Sequence, residues 1–90
     1  MSTWWVYIVR NGNGQLYTGI TTNVARRVKQ HQVGSGAKAL RGKGPIELMW
    51  SETVGNRSDA SKIEYAIKQQ RRDKKLALIE GTLLVTELLD

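Results

Sequence analysis

The sequence predicts an α+β fold (mixed α/β class): a small three-stranded antiparallel sheet flanked by helices, in the order β-β-α-β-α-α. Two segments rich in β-forming residues surround an Asn-Gly-Asn-Gly run, which is typical of a hairpin. Residues 46–54 alternate apolar and polar side chains, as a half-exposed strand does. The remaining apolar residues recur at helical spacing. The chain of 90 residues is expected to form a single domain, 1–90.

The first two strands contain two tyrosines whose relative position depends on the hairpin loop. Residues 4–10 are almost continuously apolar and predict a central strand, and the second strand begins at Leu16. A two-residue turn would pair Tyr7 with Thr18 and place Tyr7 and Tyr17 on opposite faces. A three-residue loop with a glycine bulge would pair Tyr7 with Tyr17 on one face. The hairpin signal alone leaves both loops open.

The first helix combines an apolar stripe with two polar residues. Residues 21–23 read Thr-Thr-Asn, which suits a helix N-cap. Val24 and Val28 then define an inward stripe about 40° wide, and Arg27 and His31 lie within roughly 60° of Val24. Burying a cation is unfavourable unless an opposite charge or a ligand meets it. Arg27 is therefore either a side chain lying along the core with its head in water or part of a functional group.

The segment 34–45 is a glycine-rich loop in which Lys38, Arg41 and Lys43 alternate with glycines. Exposed amides and cations on a flexible backbone can contact a phosphate chain. The segment has no Gly-Lys-Ser/Thr ending and so does not match a nucleotide-binding P-loop. The alternative is an ordinary solvated loop.

The second half predicts a third strand and further helices. Ile46, Leu48 and Trp50 are predicted to share one face of the strand. A helix begins near Ser58, after which basic residues cluster at 68–75, and two short helices follow at 76–79 and 82–89, split at Gly81. The inward face of the helix from Ser58 is predicted to carry Ala60, Ile63 and Ile67.

Glu64 lies within about 40° of Ala60 on that inward face. Three interpretations are open. The pattern Ser61-x-x-Glu64 fits a capping box. Glu64 could instead form an ion pair with Arg27, or it could bind a metal.

Composition favours a polyanionic partner. The net charge is +6, and residues 1–45 carry seven Lys or Arg and no acid, whereas residues 46–90 carry seven basic and eight acidic residues. The absence of cysteine excludes disulfides and thiolate metal sites, and a single histidine excludes a His-rich zinc site. No apolar run approaches a membrane span, and no leader pattern is present, so we expect a cytoplasmic protein.

The triplets Trp5-Val6-Tyr7 and Tyr17-Thr18-Gly19, followed by Arg27, His31 and a helical glutamate, resemble the GIY-YIG nuclease superfamily, and most closely its small single-domain bacterial members. The resemblance covers nearly the whole chain. It implies a metal-dependent endonuclease that hydrolyses phosphodiester bonds, of DNA more than RNA, in DNA repair or processing. The resemblance also implies that Tyr7 and Tyr17 belong to one site, and this favours the three-residue hairpin loop, which places them on one face. The implied catalytic residues are Tyr7, Tyr17, Gly19, Arg27, His31 and Glu64.

By this resemblance, Tyr7 would take the proton of the attacking water and Arg27 would pair with the phosphate oxygens. Tyr17 would position water or phosphate, and Gly19 would let the backbone approach closely. His31 is the alternative proton acceptor, because its ordinary pKa suits neutral pH better than that of a phenol.

The acids favour a single metal ion. None precedes Glu47, and the later ones are scattered, which argues against a carboxylate-rich two-metal site. One Mg²⁺ or Mn²⁺ held by Glu64, with waters and substrate phosphate completing its shell, is the expected cofactor. Several family members carry an asparagine beyond the catalytic glutamate, whereas residues 65–90 contain none.

The alternative function is a non-catalytic nucleic-acid-binding module that kept the fold. Lys38, Arg41 and Lys43 are the expected backbone contacts in either case. A domain of this size has no separate domain for sequence recognition, so its sequence specificity would be modest or supplied by a targeting partner protein. The sequence is compatible with a monomer but does not define the oligomeric state.

Overall fold

The computed structural model describes residues 3–40, 42 and 44–89. Two short 3₁₀ segments, Lys38–Leu40 and Val85–Leu88, accompany the strands and helices, whose order β-β-α-β-α-α confirms the prediction. The elements are β1 (Trp4–Arg10), β2 (Leu16–Thr21), α1 (Val24–Gln32), β3 (Glu47–Gly55), α2 (Arg57–Lys68) and α3 (Arg72–Glu80). In the described residues, no helix is long and apolar enough to cross a membrane.

The sheet is antiparallel with the strand order β2-β1-β3, so β1 is the central strand, as predicted. Successive residues of a strand point to opposite faces, and β1 therefore contributes to two separate cores. Val6 and Ile8 pack against α2 and α3, while Tyr7 and Val9 pack against α1. The helices thus lie on both sides of a thin sheet, and the tyrosine-bearing face belongs to α1.

The β1–β2 hairpin has a three-residue loop, as the family resemblance favoured. The Gly14 amide donates to the Asn11 carbonyl at 3.0 Å, and Gly14 has φ 80°, which together form the turn and glycine bulge. Tyr7 and Tyr17 therefore share a face. The predicted pairing of Tyr7 with Tyr17 is wrong, however: Tyr7 pairs with Gly19. The reason is that the loop is centred on Asn13, one residue later than predicted.

The first helix begins as predicted. The Asn23 side chain caps α1 by accepting a hydrogen bond from the Arg26 amide at 3.1 Å. Val28 and His31 are buried, whereas Arg26 is exposed. Helix α1 therefore places Arg27 and His31 above the sheet face that carries the tyrosines.

Strand β3 contains an irregularity that the alternating pattern does not reveal. Ile8 pairs with Trp50 while Val9 pairs with Leu48, so Met49 is an extra residue opposite β1. Consequently Trp50 packs in the α2 core and Ile46 in the α1 core. The prediction that Ile46 and Trp50 share a face is wrong, because a bulge reverses the faces beyond it while the sequence still alternates.

The rest of the second half follows the prediction only in part, because the helix predicted at 82–89 is reduced to the 3₁₀ segment Val85–Leu88. Asn56 caps α2 by accepting from the Asp59 amide at 2.9 Å, so the capping-box interpretation of Ser61 and Glu64 is wrong. Helix α3 begins at Arg72, earlier than the predicted 76, and ends at Gly81, whose φ is 86°. The buried inward residues of α2 are Ala60, Ile63 and Ile67.

Candidate active site

Two tyrosines and the histidine meet on the α1 face of the sheet. The Tyr7 hydroxyl lies 2.7 Å from His31 Nε2. The Tyr17 ring meets the His31 ring edge-on, with centroids 5.7 Å apart. Only 1% of Tyr7 and 2% of His31 is exposed. The hairpin register and helix α1 together create this cluster from residues far apart in the chain.

Gly19 lies directly under the phenol of Tyr7. A Cβ atom at this position would collide with the Tyr7 ring and hydroxyl. Because Tyr7 pairs with Gly19 across the hairpin, its side chain crosses β2, which is an edge strand. The missing side chain at Gly19 therefore makes room for the tyrosine hydroxyl rather than only for a substrate.

The hydrogen bonds of His31 define its protonation state. The Ala37 amide, which can only donate, lies 3.1 Å from Nδ1. Nδ1 therefore accepts, and the proton of the neutral ring is on Nε2, where it is donated to the Tyr7 oxygen. Burial, and next the charge of Arg27, lower the pKa of His31 below its ordinary value. Both ring nitrogens are thus occupied in the neutral form.

Arg27 is half-buried at the edge of this cluster. Its Nη1 donates to Gln30 Oε1 at 3.0 Å, which holds the guanidinium beside the phenol without neutralising its charge. Burial raises the pKa of Tyr7, and the nearby Arg27 guanidinium opposes that shift. Arg27 is therefore a cation placed where it can meet an anion next to the tyrosine oxygen.

Glu64 lies on a different helix from Arg27 and His31. It lies on α2, which packs on the sheet face opposite to α1. Its carboxylate is half-buried, and Lys68 Nζ lies 3.3 Å away, so its ion-pair partner is Lys68 rather than Arg27. Of the groups that shift the pKa of Tyr7, Glu64 makes the smallest contribution, and its negative charge acts in the raising direction.

The donor set around Glu64 restricts the metal chemistry. No group of three or more His, Cys, Asp or Glu side chains comes together in the described part of the chain. A lone carboxylate fits a hard cation such as Mg²⁺ that keeps most of its waters and takes further oxygens from a phosphate. A lone carboxylate does not form a metal site in which the protein supplies all the ligands.

The predicted nucleic-acid contacts are described only in part. Lys38 is exposed and begins the 3₁₀ segment that follows Ala37, whose amide binds His31. The basic loop therefore starts next to the tyrosine cluster. Arg41 and Lys43 lie outside the described residues.

Gln30, Gly36 and Ala37 belong to the site but were not predicted. Gln30 holds Arg27, and a Cβ atom at Gly36 would collide with His31. Gln30 lies three positions after Arg27 on the same helix, a spacing that could have indicated the contact. The contacts of Gly36 and Ala37 arise from the fold of a loop and have no comparable signal.

Comparison with known proteins supports the resemblance. The family model of the GIY-YIG catalytic domain matches residues 3–77. The chain is 53% identical over 88 residues to a UPF0213 protein of Vibrio cholerae, covering 97% of this chain and 87% of that protein. It is 49% identical over 90 residues to the UPF0213 protein YhbQ of Escherichia coli, covering 100% and 90%. Neither name states an activity.

Solved structures are similar as well. A UPF0213 protein of Bacillus halodurans, determined by solution NMR, is 40% identical with a TM-score of 0.57, covering 87% of this chain and 83% of that one. A protein of E. faecalis is 30% identical with a TM-score of 0.63, covering 91% and 88%.

Proposed function

Because the chain belongs to the GIY-YIG nuclease family, we propose that it is a metal-dependent endonuclease that hydrolyses phosphodiester bonds in nucleic acid, with DNA as the expected substrate and DNA repair or processing as the expected context. The observation that carries this proposal is the Tyr7–His31 hydrogen bond of 2.7 Å beside the Arg27 guanidinium, whose hydrogen-bond partner among the described residues is the neutral Gln30 side chain. A binding module needs cations, but it does not need a buried phenol held by a histidine.

Tyr7 is the proton acceptor in this proposal. Deprotonated Tyr7 takes a proton from a water molecule, the water oxygen bonds to phosphorus, and the bond from phosphorus to the leaving oxygen breaks. His31 is a positioning residue: the proton on Nε2 stabilises the phenolate, because a hydrogen bond donated to a charged form favours that form. Arg27 pairs with the non-bridging phosphate oxygens, for which its planar fork is suited. Tyr17 packs against His31 and orients water or phosphate.

Glu64 would hold the Mg²⁺ or Mn²⁺ ion. Such an ion supplies positive charge for the negative charge that develops on the phosphate. Lys68 contacts Oε2 of this carboxylate and would compete with the ion, but the separation of 3.3 Å between two partly exposed groups indicates a weak pair.

The direct test is cleavage of labelled single-stranded, duplex and branched DNA, and of RNA, with Mg²⁺ or with EDTA. Wild-type protein should cleave at least one of these in Mg²⁺ and none in EDTA. Tyr7→Phe should lower the cleavage rate by about 10²- to 10⁴-fold, the usual contribution of a general base, while nucleic-acid affinity changes little. Because this variant leaves the buried His31 Nε2–H without its acceptor, it should also melt at a lower temperature, and its cleavage is measured well below that melting temperature. A Tyr7→Phe protein that cleaves at the wild-type rate would contradict the proposed mechanism.

A non-catalytic nucleic-acid-binding module is the second candidate. The Glu64–Lys68 pair favours this candidate, because the lysine already balances the charge of the carboxylate that would bind a metal. This candidate predicts binding of the same nucleic acids with no cleavage at any Mg²⁺ or Mn²⁺ concentration.

A further inference from the structure

A pocket of about 320 Å³ opens beside the tyrosine cluster, where β2 passes into α1. Arg27 and Gln30 form one side of it, so the pocket begins at the cation that would bind the cleaved phosphate. Its volume is at the lower end of the range of small-molecule sites. The pocket is therefore adjacent to the reacting phosphate and large enough for one nucleobase.

The chemistry of the lining suits a nucleobase. Trp4 provides an aromatic surface, and Thr21, Asn23 and Gln30 provide donors and acceptors that could meet the edge of a base. Arg26 adds a second cation next to Arg27. Among the residues that the structure describes, no acidic side chain lines the pocket. Aromatic stacking combined with cations along the backbone is the way in which proteins bind unpaired nucleotides.

Trp4 is placed for this role by its position in the sheet. It is half-buried at the start of β1, and the Arg57 guanidinium carbon lies 5.5 Å from its ring centroid. This contact brings another positive charge near the pocket. Trp5 differs in its surroundings: it lines a separate, more apolar groove with Val24 and Leu48 on the α1 side.

We propose that this pocket is a nucleotide subsite, in which the base next to the cleaved phosphate leaves its stack and lies against Trp4. The inference rests on the proposed nuclease function and extends it to the substrate, which must present an unpaired base at the cleaved position. In duplex DNA, the base has to leave its partner before it can enter the pocket, and this opening disfavours fully paired substrates.

The test measures binding in EDTA, so that it does not depend on cleavage. Short single-stranded DNA molecules carry one abasic nucleotide at each position in turn, and their dissociation constants are compared with that of the intact strand. One abasic position should weaken binding by about 5- to 150-fold, the contribution of one stacked base. In Mg²⁺, the same position should adjoin the cleaved bond. Equal affinity for all abasic strands would overturn the subsite.

Matched tryptophan variants show which indole ring stacks against the base. Trp4→Leu should reproduce the loss seen with the abasic strand, Trp4→Phe should restore part of the affinity, and Trp5→Leu should bind as wild type does. Thermal melting of each variant separates a loss of stacking from unfolding, and the abasic series on wild-type protein requires no variant. Equal effects of Trp4→Leu and Trp5→Leu in folded proteins would count against the assignment.

The two proposals fail in different ways. Cleavage of strands whose affinity does not depend on any base overturns the subsite and leaves the nuclease intact. Base-dependent binding through Trp4 in a protein that never cleaves supports the subsite and contradicts the nuclease.

Discussion

His31 accepts a hydrogen bond from the Ala37 amide at 3.1 Å and keeps its own proton on Nε2, facing the Tyr7 oxygen 2.7 Å away. A histidine bound in this way has no free lone pair for a water molecule. Tyr7 is therefore the proton acceptor in the proposed mechanism, although the sequence alone left both residues open. Burial raises the pKa of Tyr7, so most molecules carry a protonated phenol at neutral pH.

The cleavage rate should accordingly depend on pH in the manner of a phenol. Because the phenolate fraction rises tenfold per pH unit below the pKa of Tyr7, the rate at saturating substrate should increase from about pH 7 to about pH 9 without levelling off. A histidine base would give a plateau above about pH 6.5. Single-turnover rates at fixed Mg²⁺ measure the difference, and a plateau near neutral pH would assign the base to His31.

Stability should also depend on His31, which is the single histidine of the chain. Its pKa is lowered in the folded protein, so between that value and about 6.5 the unfolded chain binds more protons. The free energy of unfolding should therefore be fully retained above about pH 6.5 and fall as the pH drops through the folded pKa. His31→Gln should be less stable but nearly independent of pH in this window, as measured by urea unfolding. Parallel pH profiles for the two proteins would contradict this account.

Helix α1 and the β1–β2 hairpin supply the tyrosines, the histidine and the arginine, whereas α2 supplies Glu64 from the other face of the sheet. The observed partner of Glu64 is Lys68, four residues along the same helix. Pairs of this kind contribute only about 0.3–0.5 kcal/mol. A large stabilising role for Glu64, which an ion pair with Arg27 would have implied, is therefore not expected.

Substitutions at Glu64 and Lys68 separate metal binding from helix stability. Glu64→Gln should abolish Mg²⁺-dependent cleavage, leave nucleic-acid affinity unchanged or slightly tighter, and lower stability by no more than about 0.5 kcal/mol. Lys68→Gln is the matched control, because it removes the same ion pair but keeps the carboxylate. It should retain cleavage, and its half-saturating Mg²⁺ concentration should stay the same or fall. Cleavage by Glu64→Gln at the wild-type rate would exclude Glu64 as the metal ligand.

The whole molecule carries its basic excess in the first half of the chain, which forms the hairpin, α1 and the loop after it. The loop starts beside His31 and carries exposed Lys38. Phosphate contacts made by such a surface give affinity without sequence preference, so a targeting partner would have to supply specificity.

The salt dependence of binding tests this surface. If about three to five phosphates are contacted, the logarithm of the binding constant should fall with the logarithm of salt concentration at a slope of about −2 to −4.5. Replacing Lys38, Arg41 and Lys43 with alanine should flatten the slope by about two or more. The matched control replaces Lys62, Lys74 and Lys75 of the second half, which changes the net charge equally. An unchanged slope for the loop variant would show that the loop does not contact the backbone.

Local patterns in the sequence determined the elements of this protein. The Asn-Gly-Asn-Gly run, the Asn caps and Gly81 act through the backbone angles and hydrogen bonds of a few neighbouring residues. The strands and the first two helices formed close to their predicted positions, whereas the helices predicted at 76–79 and 82–89 did not keep their bounds. The shared face of the two tyrosines depends on whether one loop has two or three residues, which the hairpin signal left open and the family resemblance favoured correctly. The inward sides of α1 and α2 followed from helical spacing alone.

Tertiary structure decided the partners of the functional side chains. The pairing of Tyr7 with Gly19, the extra residue Met49 in β3 and the contact of Ala37 with His31 all depend on how distant segments pack. A shift of two residues in a hairpin, or one bulge, leaves the pattern of apolar residues unchanged, so the sequence contains no signal for it. The sequence placed a tyrosine and a histidine on one side of the sheet, but only the packing of the loop after α1 gave the second ring nitrogen of the histidine its partner.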